Sequence, residues 1–360
     1  MDSNKIYNVV QTGCSGTYNY GDELSQKAVR ILLRRLLPKC KITILGSVEY
    51  VLKNEHPDAD NYITFANHNK CLDAISHCDF WVYGPGTIMP WSMTNSIDFY
   101  NINKKVIVWG VGSLRVNNDK HIKMINDCIG ISCRDNQSLK FISECINNAI
   151  MKPLLCSDPM LYHVRDMKNT RINGITLTSH IENMNISWIN NQMRENIYNS
   201  LAHAMKQIGG QWIAIPATIG EFPADNDNIC HMKLKKLFPE LGIVNMEHFD
   251  DMTNKLCGLN LYITARLHTG VVAAGSKVPT VFFGLEKILF LLESWGRKEL
   301  YAGYYADLTT EKILKSLMYA QNIFPGAGEQ YTNNKPGIKH IIDNIGNDID
   351  IMSRFLTNIH

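Results

Sequence analysis

Short apolar runs alternate with longer amphipathic stretches along most of this chain, and that alternation narrows the fold more than any other feature. Runs such as "KITIL" (41–45), "FWVY" (80–83) and "KVIVWGV" (105–111) are apolar almost throughout, as strands are when both faces are covered. The stretch "ELSQKAVRILLRRLL" (23–37) instead spaces its apolar residues at the helical period. Strands are expected at 6–11, 41–45, 80–83, 105–111, 129–133, 174–177, 211–216, 261–265 and 280–283. Helices are expected at 23–37, 119–127, 137–147, 189–208, 232–237, 250–256, 269–276, 287–294 and 310–320. The pattern is that of an α/β protein with parallel sheets flanked by helices.

At 360 residues the chain exceeds one ordinary core, and the α/β pattern occurs twice. A polar stretch, "RDMKNTRIN", marks the junction, which gives an N-terminal Rossmann-like domain at 1–168 and a C-terminal one at 169–325. Residues 326–360 read as a linker and a last helix from about 338 to 358. A hydrophobic fraction of 45%, a charged fraction of 19% and a net charge of +2 describe a core-rich protein. They exclude a disordered chain and give no basic surface for nucleic acid or membrane. No apolar run approaches the ~20 residues of a membrane span. The first apolar stretch, "IYNVVQTGC", is short and strand-like and is no leader peptide. The 10 cysteines form no C-x-x-C pair and have no His-rich segment at zinc spacing. They read as reduced core residues of a cytoplasmic protein, with no metal and no cofactor expected.

Ligands of parallel sheets lie beyond the carboxyl ends of the strands. "TGCSGTYNYGDEL", with Asp22, follows the first strand; "GPGT" (Gly84 to Thr87) follows 80–83, and "GVGS" follows the core of 105–111. Arg134 and Asp135 follow 129–133. Each also has a plainer reading. Asp22 suits the cap of a helix starting at Glu23, Gly84-Pro85-Gly86 a tight turn, Asp135 or Asn136 a cap, and Arg134 a surface ion pair.

"ITARLHTGVV" is more pointed. If extended backbone persists through His268, Arg266 and His268 face one side while Leu267 points into the core. A helix starting near Thr269 then opens its free N–H groups on the same space, which makes an anion site with an acid/base group beside it.

Taken in order, these segments resemble the polysaccharide pyruvyl transferases over roughly 13–296. "NYGDEL" is similar to the family's Asn-x-Gly-Asp-Glu turn, "GPGT" to its Gly-Gly-Gly-Thr loop, and "GVGS" to a Gly-x-Gly strand end. "CRDNQSLKFI" and "SDPML" resemble its Arg-Asp-x-x-Ser and Asp-Pro segments. "ITARLHTGVVAAGSKVP" resembles its Arg-Leu-His helix signature, the most specific of the series, and "GLEKILFLLESWG" its Lys-bearing segment.

The resemblance implies two Rossmann-like domains in a GT-B-like arrangement. It implies transfer of pyruvate from phosphoenolpyruvate to two hydroxyls of a sugar, forming a cyclic ketal in glycan or cell-surface polysaccharide biosynthesis. Phosphoenolpyruvate is a co-substrate, and the acceptor is a sugar, oligosaccharide or lipid-linked glycan. A lipid-linked acceptor would bring the protein to the membrane periphery, and a homo-oligomer is compatible with the family. Carried over residue by residue, His268 is the acid/base, Arg134 and Arg266 are catalytic donor ligands, and Lys287 holds phosphate or carboxylate. Asp22, Gly84, Gly86 and Thr87 fall on the acceptor side. One departure stands out: Pro85 occupies a position usually glycine and lacks the backbone N–H. The rival readings are a GT-B glycosyltransferase using a nucleotide sugar and a non-catalytic carbohydrate-binding homologue.

Overall fold

The computed structural model describes residues 5–88, 105–113, 119–146, 152–183, 189–220, 226–245, 248–331 and 337–357, with backbone alone at 87–88, 113 and 119–121. Contacts divide the chain into two compact units. Met1–Thr17, Asp22–Tyr162 and Asp343–His360 form the first; Tyr18–Gly21 and His163–Ile342 form the second.

Unit 1 runs β1 (Asn8–Thr12), α1 (Tyr20–Leu36, whose first two residues group with unit 2), β2 (Lys41–Gly46), α2 (Glu49–Glu55), β3 (Asn61–Thr64) and α3 (His68–His77). It continues through β4 (Phe80–Tyr83), β5 (Gly86–Ile88), β6 (Val106–Ser113), α4 (Asp119–Asp127), β7 (Gly130–Cys133), α5 (Asn136–Cys145) and β8 (Leu154–Leu155). The strands form one parallel sheet in the order β3-β2-β1-β4-β6-β7-β8, with β5 also paired to β6.

Side chains alternate across this sheet, as strand geometry requires. Trp81 and Tyr83 enter the core on one face with Val106 and Val108, while Phe80 and Val82 join Ile107 and Trp109 on the other. The alternation breaks once. The β6–β7 register shifts between Val108 and Val111, so Val111 returns to the face of Val108. Gly110 sits in that bulge at φ +60°, a conformation that costs glycine little.

Unit 2 runs β9 (Ile172–Thr176), α6 (Asn191–Ile208), β10 (Gln211–Ala214), α7 (Asn228–Leu237), β11 (Gly242–Ile243), α8 (Phe249–Cys257) and β12 (Leu261–Thr264). It ends with α9 (Leu267–Gly275), β13 (Thr280–Phe282), α10 (Glu286–Ser294), α11 (Thr310–Ile323) and α12 (Lys339–Asp343). Its parallel sheet has the order β11-β10-β9-β12-β13, with β9 at the centre. The last helix, α13 (Ile345–Thr357), belongs to unit 1. Phe355 packs edge-on to Trp109 at 6.1 Å, and Met352 and Leu356 join the same core.

The nine expected strands and the first nine expected helices all form, with ends shifted by a few residues, while the last helix, expected from about 338 to 358, is divided into α12 and α13. β3, β5, β8, β11, α2 and α3 lie outside the expected set. They are short, and several are edge pieces burying few side chains: α2 buries only Val51 and Leu52, and β3 is half-buried along most of its length.

Candidate active site

In unit 2, sheet order reverses at β9, whose neighbours are β10 and β12. Such a switch point leaves a crevice at the strands' carboxyl ends. Arg266 stands at the end of β12, extended at φ −107°, ψ 122°, as the N-cap of α9. Its N–H donates to Thr264 Oγ1 at 2.9 Å, and Thr269 Oγ1 donates to its carbonyl at 3.1 Å.

The helix therefore begins at Leu267, two residues earlier than expected. This corrects the sequence reading: His268 lies in the first turn of α9 and not on a prolonged strand. The hydroxyl pair closes the turn at once, so extended backbone stops at Arg266. Leu267 is buried, while Arg266 and His268 are half-buried.

Arg266 is already held by a carboxylate. Its Nε donates to Asp227 Oδ2 at 3.1 Å and its Nη2 to Asp227 Oδ1 at 2.5 Å. Asp227 is fully buried and accepts three backbone bonds besides, from Ser179 at 2.9 Å and from Ala217 and Thr218 at 3.1 Å each. His180 follows β9 on the 3-10 turn Ser179–Ile181. Burial first, then the Arg266 and Lys287 cations, push its imidazole down to about 4, with Asp227 opposing. It is therefore neutral near pH 7. Lys287 is the second residue of α10, half-buried.

His268 has an unforeseen neighbour. Tyr18–Gly21 groups with unit 2: Tyr20 N donates to the Ala217 carbonyl at 2.9 Å, and Asn19 bridges Thr218. Tyr20 Oη and Thr253 Oγ1 are hydrogen-bonded at 2.9 Å. A Cβ built on Gly21 would fall 2.0 Å from His268 Nδ1, so only glycine admits the imidazole there.

In unit 1, Arg134 is 4% exposed, which overturns its reading as a surface ion pair. Its guanidinium lies against Gly112, where a Cβ would meet Nη2 at 2.8 Å. Its Nη1 is 3.5 Å from Asp158 Oδ2, and Asp158 is fully buried. Burial raises the Asp158 carboxyl, and Arg134 pulls the other way. Asp135 caps α5, accepting from Ser138 N and Oγ at 2.7 Å each.

Asp22 is not a cap. α1 starts at Tyr20, which places Asp22, half-buried, inside its first turn. The carboxylate that closes the preceding loop is Glu23, which accepts from Gly16 N at 3.0 Å, Thr17 N at 2.6 Å and His56 Nε2 at 2.7 Å. Gly84 and Gly86 flank Pro85 with φ of +107° and +134°. The Pro85 carbonyl accepts from Gln26 Nε2 at 3.2 Å. Thr87 has a described backbone in β5, but its side chain lies outside the described residues.

The predicted residues thus fall into two groups. Arg266, His268 and Lys287 belong to unit 2, where Arg266 and Lys287 both act on His180; Arg134, Asp22, Gly84 and Gly86 belong to unit 1. Asp227 and His180 were not anticipated. Asp227 lies in a polar stretch remote from Arg266 in sequence. His180 follows β9 as Arg266 follows β12, and inspecting every strand end would have found it.

The polysaccharide pyruvyl transferase model matches residues 19–286, from the Asn19 turn to the start of α10. The chain belongs to the polysaccharide pyruvyl transferase family. No curated protein matches it. Among solved structures it is similar to a Listeria monocytogenes protein assigned as a UDP-N-acetylglucosamine 2-epimerase, with TM-score 0.62, 10% identity and 97% of each chain covered. It is also similar to the UDP-GlcNAc 2-epimerase of Neisseria meningitidis bound to UDP-GlcNAc (TM-score 0.60, 12% identity, 97% and 99% covered). A UGT transferase of Siraitia grosvenorii in complex with UDP gives TM-score 0.56 and 10% identity, with 99% and 100% covered. At these identities the likeness is one of fold: parallel sheets flanked by helices, of the GT-B class. Among the described residues no helix is long and apolar enough to cross a membrane, and no three His, Cys, Asp or Glu side chains group as metal ligands.

Proposed function

We propose that this family member transfers pyruvate from phosphoenolpyruvate to two hydroxyls of a sugar acceptor, forming a cyclic ketal. The observation that carries the reading is the junction of β12 and α9 at a switch point, where Arg266 is the N-cap of the helix and His268 lies in its first turn. Phosphoenolpyruvate is a polyanion, so its pocket needs cations and helix-end amides. Arg266, Lys287 and the start of α9 are suited to that task in unit 2, with Arg134 as the donor ligand assigned in unit 1. His180, neutral near pH 7, supplies a hydrogen-bonding ring without adding charge.

The chemistry needs one group that both gives and takes a proton. His268 gives a proton to the methylene carbon of the donor while a sugar hydroxyl adds to the neighbouring carbon and sheds its own proton. A second hydroxyl then adds to that carbon as the C–O bond to phosphate breaks. The second hydroxyl's proton leaves with phosphate or returns through His268. The products are the pyruvyl ketal and inorganic phosphate, and no electrons are exchanged with an outside partner. Asp22 on the acceptor side is assigned the hydroxyl proton.

The test is incubation with phosphoenolpyruvate and a panel of free and lipid-linked hexoses and hexosamines. The expected result is phosphate release with an acceptor mass gain of one pyruvyl ketal. Sugar transfer from UDP-GlcNAc, with no phosphate released from phosphoenolpyruvate, would replace this reading with glycosyl transfer.

A further inference from the structure

We infer that Asp227 is the positioning residue for the donor-binding arginine, a buried carboxylate whose work is to hold the Arg266 guanidinium in a fixed plane. The inference rests on the proposed role of Arg266 as a donor ligand.

The geometry is that of a socket. Asp227 accepts from two nitrogens of Arg266 and from three backbone N–H groups, so each oxygen has at least two donors. Those donors come from the carboxyl ends of three adjacent strands: Ser179 beyond β9, Ala217 and Thr218 beyond β10, and Arg266 beyond β12. One side chain therefore fastens three strand ends around the switch point. Full burial and five donors make Asp227 unsuited to proton transfer. A guanidinium held on its Nε–Nη2 edge has little rotamer freedom left, so a ligand meets it already oriented. The same carboxylate reaches the neighbourhood of His268, because Ala217 and Thr218 also carry Asn19 and Tyr20, next to Gly21.

The sign of one substitution separates this role from a bystander's. A negative charge beside an anion site repels the anion, so by charge alone Asp227→Asn should tighten donor binding or leave it unchanged. Loss of orientation should weaken it.

The experiment is calorimetric titration of phosphoenolpyruvate, and separately of inorganic phosphate, into wild type, Asp227→Asn, Arg266→Lys and the double variant. Asp227→Asn is expected to weaken phosphoenolpyruvate by about 10- to 100-fold, the scale of losing one preorganised contact. In the Arg266→Lys background it should cost less than about threefold, because the group it orients is already gone. Equal multiples in both backgrounds, or tighter binding by Asp227→Asn, overturns the inference. Should Asp227→Asn fail to fold, Asp227→Glu keeps the charge and displaces the guanidinium, and weakened binding is expected there too. Wild type binding phosphate but not phosphoenolpyruvate would defeat the donor reading alone, and phosphate then reports on Asp227 through the same four proteins. Wild type binding neither overturns both.

Discussion

At the residue scale, the assigned side chains of each unit are seated by close approaches that only particular residues permit. Gly112 leaves the volume that the Arg134 guanidinium fills, and Gly21 leaves the volume that the His268 imidazole fills. Gly21 lies in the first turn of α1, where alanine is by itself the better helix former by about 1 kcal/mol. That gain is outweighed here, because the new Cβ would also meet His268 Cβ at 2.6 Å, which no rotamer change relieves, so Gly21→Ala is expected to lower stability as well as drive the imidazole from its place. With His268 as the acid/base, kcat should fall by about 10²–10⁴-fold and donor affinity should hardly move. Steady-state kinetics beside a thermal melt reads both. A variant with normal kcat would show that the position of His268 is not critical to turnover.

At the scale of elements, the strand-end loops are held by buried acids, and α13 is held by another. Asp348 in α13 accepts from Ser157 N at 3.0 Å and from the Tyr162 hydroxyl at 3.3 Å. Burial pushes its carboxyl up to about 7; the two bonds counter that, and nearby Asp158 adds to it. An unfolded aspartate titrates near 4, so between about pH 4 and 7 the folded chain keeps a proton that the unfolded chain gives up. The stability from this site is complete below about pH 4 and is lost as pH rises through about 7. Asp348→Asn imitates the protonated form, so it should raise the melting temperature of unit 1 most at pH 8, by less at pH 5, and hardly at all near pH 4. One unit of displacement corresponds to ~1.4 kcal/mol, so a gain of several degrees is expected. Melts from pH 4 to 8 test this. An equal loss at both ends of the range would mean that the carboxylate itself is what α13 requires.

At the scale of the whole molecule, the family membership and the fold leave the donor as the open chemical question. The three structural relatives share the fold at 10–12% identity, and two of them hold a uridine nucleotide. In this chain the carboxylate nearest Arg266 is already engaged by it, and the remaining assigned groups of unit 2 are His268 and Lys287. Phosphoenolpyruvate is accordingly expected to raise the melting temperature of unit 2, and UDP-GlcNAc to leave it in place. Ligand at a hundredfold excess over Kd adds ~2.7 kcal/mol, a shift of roughly 5–10 °C for a unit of this size. A shift with the nucleotide sugar alone would favour glycosyl transfer.

The alternation of apolar runs and amphipathic stretches was enough to place every strand that lies deep in either sheet, because burial on both faces leaves a continuous apolar signature. The order of strand-end segments, from the Asn19 turn to Lys287, was likewise written in the chain, as were Arg134, Arg266 and His268. The start of α9 at Leu267 went unread although its cause is local, since the two threonine hydroxyls that close that turn lie within three residues of Arg266. What the sequence could not do was pair Arg266 with Asp227, seat His268 against Gly21, or bury Arg134 beside Asp158. Each of those pairs joins residues 24 to 247 positions apart, and periodicity reports only on neighbours. The short pieces β3, α2 and α3 escaped for the opposite reason: they bury too little to leave a periodic signal. Which residues line the strand ends was local information. Which of them hold one another in place was decided by the fold, because an ion pair or a close contact exists only where the sheet brings distant strand ends together.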